Sequence, residues 1–335
     1  MVAFMRYSER ILFTRFNLKK NIYYICNKNI TNSTIEVMKI TSFLLATLFT
    51  LLSCTIKKGQ EVDRISVFAV HINTIAQQEN ISFTEAATKV RQMGYAGADV
   101  YPYQEDIIPV LDSLGFDHSC AIVHINYLGE EHVDSIDANT PRGFFRAGWS
   151  DLENAAISFV KRHNYPHLML VPNVLPKDAT PEDVEIVRSH VTAYAERCVT
   201  EGIDLVVESY DNEASLCYNT ERLQALLTRS KSLGVAFDVG NFTFAKEDPV
   251  EAYETLRDRV RHVHLKDRAS LDDMTPVPAG TGCSKISTVL QKMKEANYDG
   301  WYTVEIFGSK QMLSDLEVAY YNTYKFLSSN VSQIN

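Results

Sequence analysis

Short apolar runs alternate with longer amphipathic stretches over most of the chain, and this alternation predicts its architecture. The strand-like runs are Arg64–Val70, Gly97–Val100, Phe116–His124, Leu168–Val171, Asp204–Glu208, Gly234–Asp238, Arg261–Leu265 and Trp301–Ile306. Between and after them lie helix-like segments: Ser82–Met93, Asp106–Leu114, then 151–163, 181–201, 219–233, 249–259, 284–296 and 311–327. Apolar runs separated by amphipathic helices specify parallel strands covered by helices. Eight such units favour an α/β fold closed into a (β/α)8 TIM barrel over a doubly wound sheet. One connection breaks the rhythm, because Asn126–Gly148 is long and carries Pro141, Gly143, Phe144 and Phe145 just ahead of Trp149. A link of that kind suits a lid, a pocket wall or a surface insertion.

A different pattern precedes the barrel. From Met38 the chain reads MKITSFLLATLFTLLSCTIKKG, a lysine, an apolar run and then Leu51-Leu52-Ser53-Cys54. The run is short for a membrane-spanning helix and suits a secretory signal. The four residues ending at Cys54 resemble the lipobox of bacterial lipoproteins, which implies lipid on Cys54 after cleavage. The expected organisation is an over-called or dispensable extension at 1–37, a signal peptide at 38–53, a linker at 54–61, a catalytic barrel at 62–327 and a tail at 328–335. The implied location is an exported lipoprotein, facing the periplasm and membrane-anchored through lipid alone, in a Gram-negative bacterium.

Removing the leader sharpens the charge. The whole chain carries a formal −9, but residues 1–53 hold seven basic and two acidic side chains, so the remainder carries −14. Duplex binding needs many cationic phosphate contacts, so nucleic acid is not the expected partner. Cys120, Cys198, Cys217 and Cys283 follow the leader without CxxC spacing, and a domain this large does not need a disulfide.

Four of the apolar runs end on candidate metal ligands. Glu208 closes LVVE, Asp238 closes GVAFD, His264 closes VRHVH and Glu305 closes YTVE. Repeated strand–helix units bring such strand ends to one rim. Three carboxylates and one imidazole suit a single divalent ion, Mn2+, Mg2+, Co2+ or Zn2+, with positions left for substrate oxygens. The Gly280-Thr281-Gly282 segment lacks the lysine and hydroxyl of a Walker motif and reads as a tight turn leading to the Ser284 helix.

Glu208 in VVESY, Asp238 in FDVGN, His264 in RHVHLKD, the glycines of AGTGCS and Glu305 after NYDGWY together resemble the sugar phosphate isomerase/epimerase group with the xylose-isomerase-like barrel. The resemblance implies one divalent metal held by Glu208, Asp238, His264 and Glu305 at the C-terminal face of the barrel. It also implies that Glu208 and Glu305 exchange a proton with the carbon beside a sugar carbonyl. Chemistry explains the same residue types: coordination polarises adjacent oxygens, while a carboxylate on each side serves the two faces of the substrate. Lys266, two residues after His264, suits a developing enediolate oxygen or else a solvent-exposed loop. His124 and His71 close the third and first strand runs, where a ring can reach substrate hydroxyls or simply pack. Asn241 stands where many epimerase-like members carry histidine. Trp149, Tyr101 and Phe307 are candidate stacking surfaces or ordinary rim packing.

The expected activity is therefore a divalent-metal-dependent isomerase or epimerase acting on a small-molecule carbohydrate, a free or keto sugar. The alternatives are a metal-dependent lyase or hydratase of 3-keto-glycosides, where loss of a leaving group replaces reprotonation, and a non-catalytic carbohydrate-binding lipoprotein. The metal-dependent DNA-repair barrels share the fold type, but their three-metal pattern needs more ligands than this chain offers.

Overall fold

The computed structural model of the 335-residue chain describes residues 64–329, residue 173 excepted. The leader, the linker and Cys54 lie outside the described residues. Among the described residues, no helix is long and apolar enough to cross a membrane.

The barrel strands are β1 (Ile65–Phe68), β2 (Gly97–Val100), β3 (Asp117–Ile125), β4 (His167–Pro172), β5 (Asp204–Glu208), β6 (Gly234–Asp238), β7 (Val260–Leu265) and β8 (Tyr302–Val304). Each pairs in parallel with its neighbours in sequence, and β8 returns to β1, so the sheet closes into a barrel. Closure buries both faces: every residue of β1, β2, β6 and β8 is buried. That accounts for apolar runs without clean alternation.

Two irregularities of register bear on the site. The β2–β3 pairing shifts between Ala98 and Asp99, and the β6–β7 pairing shifts between Val235 and Ala236, opposite Val260 and His262. Such shifts re-aim side chains, and these two lie next to polar residues that enter the barrel interior, Asp99 and His262.

The helices follow local signals. Ser82 caps Phe83–Met93 in a capping box with Glu85, and that helix stops at Gly94, whose φ of 115° suits a residue without a Cβ. Thr180 caps Pro181–Thr200 in the same way, with Asp183 as the partner. The first unit departs from expectation: the strand ends at Phe68, and Ala69–Glu79 is a helix. Buried Ala69, Ile72 and Ile75 recur three residues apart there, a helical spacing hidden behind the preceding strand. The second unit begins with a 3-10 turn, Pro102–Ile107, before the short helix Ile108–Ser113.

The long link contains one helical turn, Pro141–Phe144. Phe144 is buried, with its ring 5.8 Å from Tyr101 and 5.0 Å from Tyr103, so the link forms a wall behind Tyr101. The chain beyond β7 makes a small antiparallel ladder, Asp267–Arg268 with Pro276–Val277. The glycine turn then wraps the Asp267 carboxylate, which accepts from the backbone N–H groups of Gly280 (3.0 Å), Gly282 (2.8 Å) and Ser284 (2.9 Å).

Candidate functional site

Strand parity delivers the site. Glu208 and Asp238 are the last residues of β5 and β6, His264 is the penultimate residue of β7, and Glu305 directly follows β8. All four are buried, and their ligand atoms lie within 4.8 Å of one another. His264 Nδ1 is 2.8 Å from Glu208 Oε1 and 2.6 Å from Glu305 Oε2. Lys266 Nζ is 2.8 Å from Asp238 Oδ2 and 2.5 Å from Glu305 Oε1.

The local chain explains how Asp238 is held. Its Oδ1 accepts from Asn241 N at 3.1 Å and so caps the helix Val239–Phe244. Its Oδ2 is left facing the site. Asn241 donates through Nδ2 to Ser209 O at 2.6 Å and accepts from Lys266 Nζ at 3.2 Å. Asn241 is therefore fully buried behind Asp238 and positions that carboxylate and the Lys266 ammonium.

Burial dominates the electrostatics. It pushes the Asp238 carboxyl up to about 7 against the pull of Lys266, and it raises Glu208 against the pull of His264. At Glu305 burial also acts upward, but Lys266 and His264 outweigh it and hold the group below the usual carboxylate range. Burial would lower His264, yet its hydrogen bond to Asp99 and the adjoining Glu208 and Glu305 raise it well above an ordinary imidazole. The cluster thus demands positive charge at its centre, from a proton on His264 or from a cation.

The donor set fits a divalent ion. Among the described residues, the buried atoms Asp238 Oδ2 and His264 Nδ1 make no hydrogen bond of acceptable geometry. Buried polar atoms usually form one; these two lie 2.6–2.8 Å from oppositely charged groups without one and converge on one point with two further carboxylates. Oxygen and imidazole donors of this kind suit Mg2+, Mn2+, Co2+ or Zn2+.

A cavity of about 170 Å3 opens over the cluster, lined by Glu208, His264, Lys266 and Glu305 together with Phe68, Tyr101, Ile122, His124, Met169, Tyr210, Asp211 and Phe307. A larger cavity, lined by Arg64, Asp117, His167, Arg261 and Trp301 among others, lies at the opposite mouth, by the strand N-termini. Chemistry in these barrels belongs to the C-terminal face, so the smaller cavity is the candidate site.

The structure sorts the other candidates. His124 lines the cavity, 3.1 Å from the Tyr101 hydroxyl, and burial lowers it to about 4, so it is neutral at pH 7. Tyr101 and Phe307 line the same cavity. His71 and Trp149 do not. His71 sits in the first helix rather than at a strand end, and its Nε2 accepts from Ile306 N at 2.9 Å. Trp149 starts the helix Trp149–His163 and packs 4.4 Å from the His190 ring. Lys266 is buried and ion-paired rather than solvent-exposed.

Sequence reasoning missed Asp99, His262, Tyr210, Asp211 and Arg268. Arg268 is buried and donates to Asp211 Oδ2 at 2.6 Å and Asn241 Oδ1 at 3.2 Å, joining the loop after β7 to the loop after β5. The signal for Asp99 was a single acid inside the four-residue run GADV. For His262 it was the same strand parity as His264.

Comparison with known proteins bears on the fold and the family. An inosose dehydratase from Geobacillus kaustophilus is 32% identical over 95 residues, covering 24% of this chain and 31% of that protein. The chain thus matches about a third of the length of that curated relative. A D-tagatose 3-epimerase-like protein superposes with a TM-score of 0.59 at 18% identity, over 79% of this chain and 98% of that one. A Mycobacterium smegmatis xylose isomerase-like TIM barrel protein in complex with magnesium superposes with a TM-score of 0.53 at 14% identity, over 73% and 89%. At these identities the superpositions show the fold. Residues 82–328, however, match the family profile itself. The chain belongs to the family of xylose isomerase-like TIM barrels.

Proposed function

We propose that the protein is a divalent-metal-dependent isomerase or epimerase that moves a proton beside the carbonyl of an uncharged keto sugar. The observation carrying this reading is the pair of buried, cavity-lining carboxylates, Glu208 and Glu305, which lie 2.8 and 2.6 Å from His264 Nδ1. Glu208, Asp238, His264 and Glu305 would hold the ion, which when bound polarises a substrate carbonyl and acidifies the neighbouring C–H. One glutamate removes that proton and the other returns one to the opposite face. Lys266, enclosed beside Glu305, supplies a fixed positive charge for the developing enediolate oxygen. Tyr101, Phe68 and Phe307 offer apolar faces to a sugar ring, and neutral His124 offers a hydrogen bond to a hydroxyl.

Charge supports an uncharged substrate. Lys266 is the one Lys or Arg among the described residues lining the cavity, and two carboxylates already engage it. Arg268, just behind, is engaged by Asp211. Both cations are already balanced by carboxylates, so the cavity holds no excess positive charge to recognise a phosphate or carboxylate group.

A second reading, dehydration, is favoured by the similarity to inosose dehydratase. The first step is the same proton removal, and the Lys266 ammonium would then help a β-hydroxyl leave. Incubation of the Mn2+-loaded protein with keto sugars and keto-cyclitols in D2O separates the two. Deuterium at the carbon beside the carbonyl without loss of water supports epimerisation, and an unsaturated product selects dehydration. Binding without exchange or product would reject both in favour of a carbohydrate-binding protein.

A further inference from the structure

Asp99 is fully buried in the barrel interior, on β2, and the proton transfer proposed above does not use it. Its Oδ2 lies 3.0 Å from His264 Nε2 and 2.8 Å from His262 Nε2, and its Oδ1 accepts from the Ser119 hydroxyl. An ionised carboxylate cannot donate, so both imidazoles present Nε2–H to it. His262 Nε2 also lies 3.1 Å from Thr303 Oγ1, which is 2.5 Å from Ser66 Oγ. Side chains of β1, β2, β3, β7 and β8 are thereby tied into one polar layer directly beneath the ligand layer.

His264 belongs to both layers. With Nε2–H committed to Asp99, Nδ1 is the atom turned toward Glu208 and Glu305. Asp99, His262 and His264 also offer ligand atoms within 4.8 Å of one another, but donation to one shared oxygen accounts for those distances without an ion. Replacing a buried ion pair by well-packed apolar side chains is often neutral or stabilising, so stability alone does not account for Asp99.

We propose that Asp99 is a positioning residue for the divalent cation: it holds His264 in the Nε2–H tautomer with Nδ1 as the ligand atom, and acts on the cation through that ring alone. The proposal rests on the metal-site reading above. Carboxylate partners of this kind orient the ring and raise its basicity as a ligand. Asn at position 99 keeps one oxygen but cannot offer an anionic acceptor to both rings.

The test is Mn2+ affinity by chelator competition, with unfolding of the metal-free protein measured in parallel. Asp99→Asn is expected to weaken Mn2+ about 10- to 100-fold, whereas Ser119→Ala, which removes the Oδ1 contact alone, is expected to keep wild-type affinity. Wild-type affinity in Asp99→Asn, with only the metal-free stability lowered, would reduce Asp99 to a structural role and overturn the proposal. If Asp99→Asn does not fold, long-range 15N–1H correlation of Zn2+-loaded wild-type protein decides. A proton on His264 Nε2 with Nδ1 coordinated is expected, and the reverse tautomer overturns it. Wild-type protein that binds neither ion would instead defeat the metal-site reading on which the proposal stands.

Discussion

Each of the four candidate ligands is asked for something different, and substitution should separate the tasks. Asp238→Ala removes the orphaned Oδ2 and the helix cap together, so Mn2+ binding should fall at least tenfold, with activity following it. Glu305→Gln keeps an oxygen donor but loses the base, so kcat should fall by more than metal occupancy, about 100-fold or more for a lost general base. Equal losses of metal and rate in Glu305→Gln would remove the proton-transfer role. His71 offers a separate residue-scale test. Burial holds its pKa down to about 4 from 6.5, and as a neutral ring it accepts from Ile306 N. A depressed folded-state pKa gives stability that is present above pH 6.5 and lost as pH falls toward 4. That shift corresponds to roughly 3 kcal/mol over the window. Gln can accept the same hydrogen bond and does not titrate there. Urea unfolding in EDTA at pH 7 and pH 5 should therefore show a smaller acid loss in His71→Gln than in wild type, and identical losses would refute the assignment.

At the scale of elements, strands deliver chemistry and loops hold it in place. Residues two apart on β7, His262 and His264, face the same interior and serve successive layers, as period-two geometry requires. The loop after β7 depends on Asp267, whose carboxylate accepts from the backbone N–H of Arg268 and from those of Gly280, Gly282 and Ser284, and so fixes the glycine turn. Asp267→Ala would leave those donors unmet. A loss of about 3 kcal/mol in unfolding free energy is expected, together with weaker substrate binding, because Arg268, next to Asp267 in this loop, holds Asp211 of the loop after β5 at the cavity wall. Wild-type stability in this variant would show that water or a rearranged turn replaces the carboxylate. Element types were largely legible in the chain because amphipathic helices and buried strands differ in period. The helix Ala69–Glu79 was not, since no polar break separates it from β1.

At the scale of the molecule, closure of β8 on β1 is what converts four strand ends into one site. The same closure explains why the site tolerates so many buried charges: each faces an opposite charge or donor from another strand. The proposed lipid anchor concerns the chain beyond the described residues, and mass spectrometry of the native N-terminus tests it. Cleavage before a diacylated Cys54 is expected, and an unmodified chain retaining residues 1–37 would remove both the anchor and the expected periplasm-facing location.

The sequence by itself determined the repeating units, the barrel and the four strand-end residues, because strand ends of parallel units share a rim and the ligand types announce themselves. It did not determine which histidines face that rim. His71 lies in a helix rather than at a strand end, and Trp149 rests against the His190 ring, because side-chain direction depends on where a strand gives way to a helix and on neighbours distant in the chain. Asp99 and His262 were hidden for the opposite reason. A buried acid in GADV has no meaning until closure and two shifts of register bring β2 against the histidines of β7 through the barrel interior. Only the tertiary structure pairs charges that lie 165 residues apart, and at such distances local pattern carries no information about which partner will neutralise which.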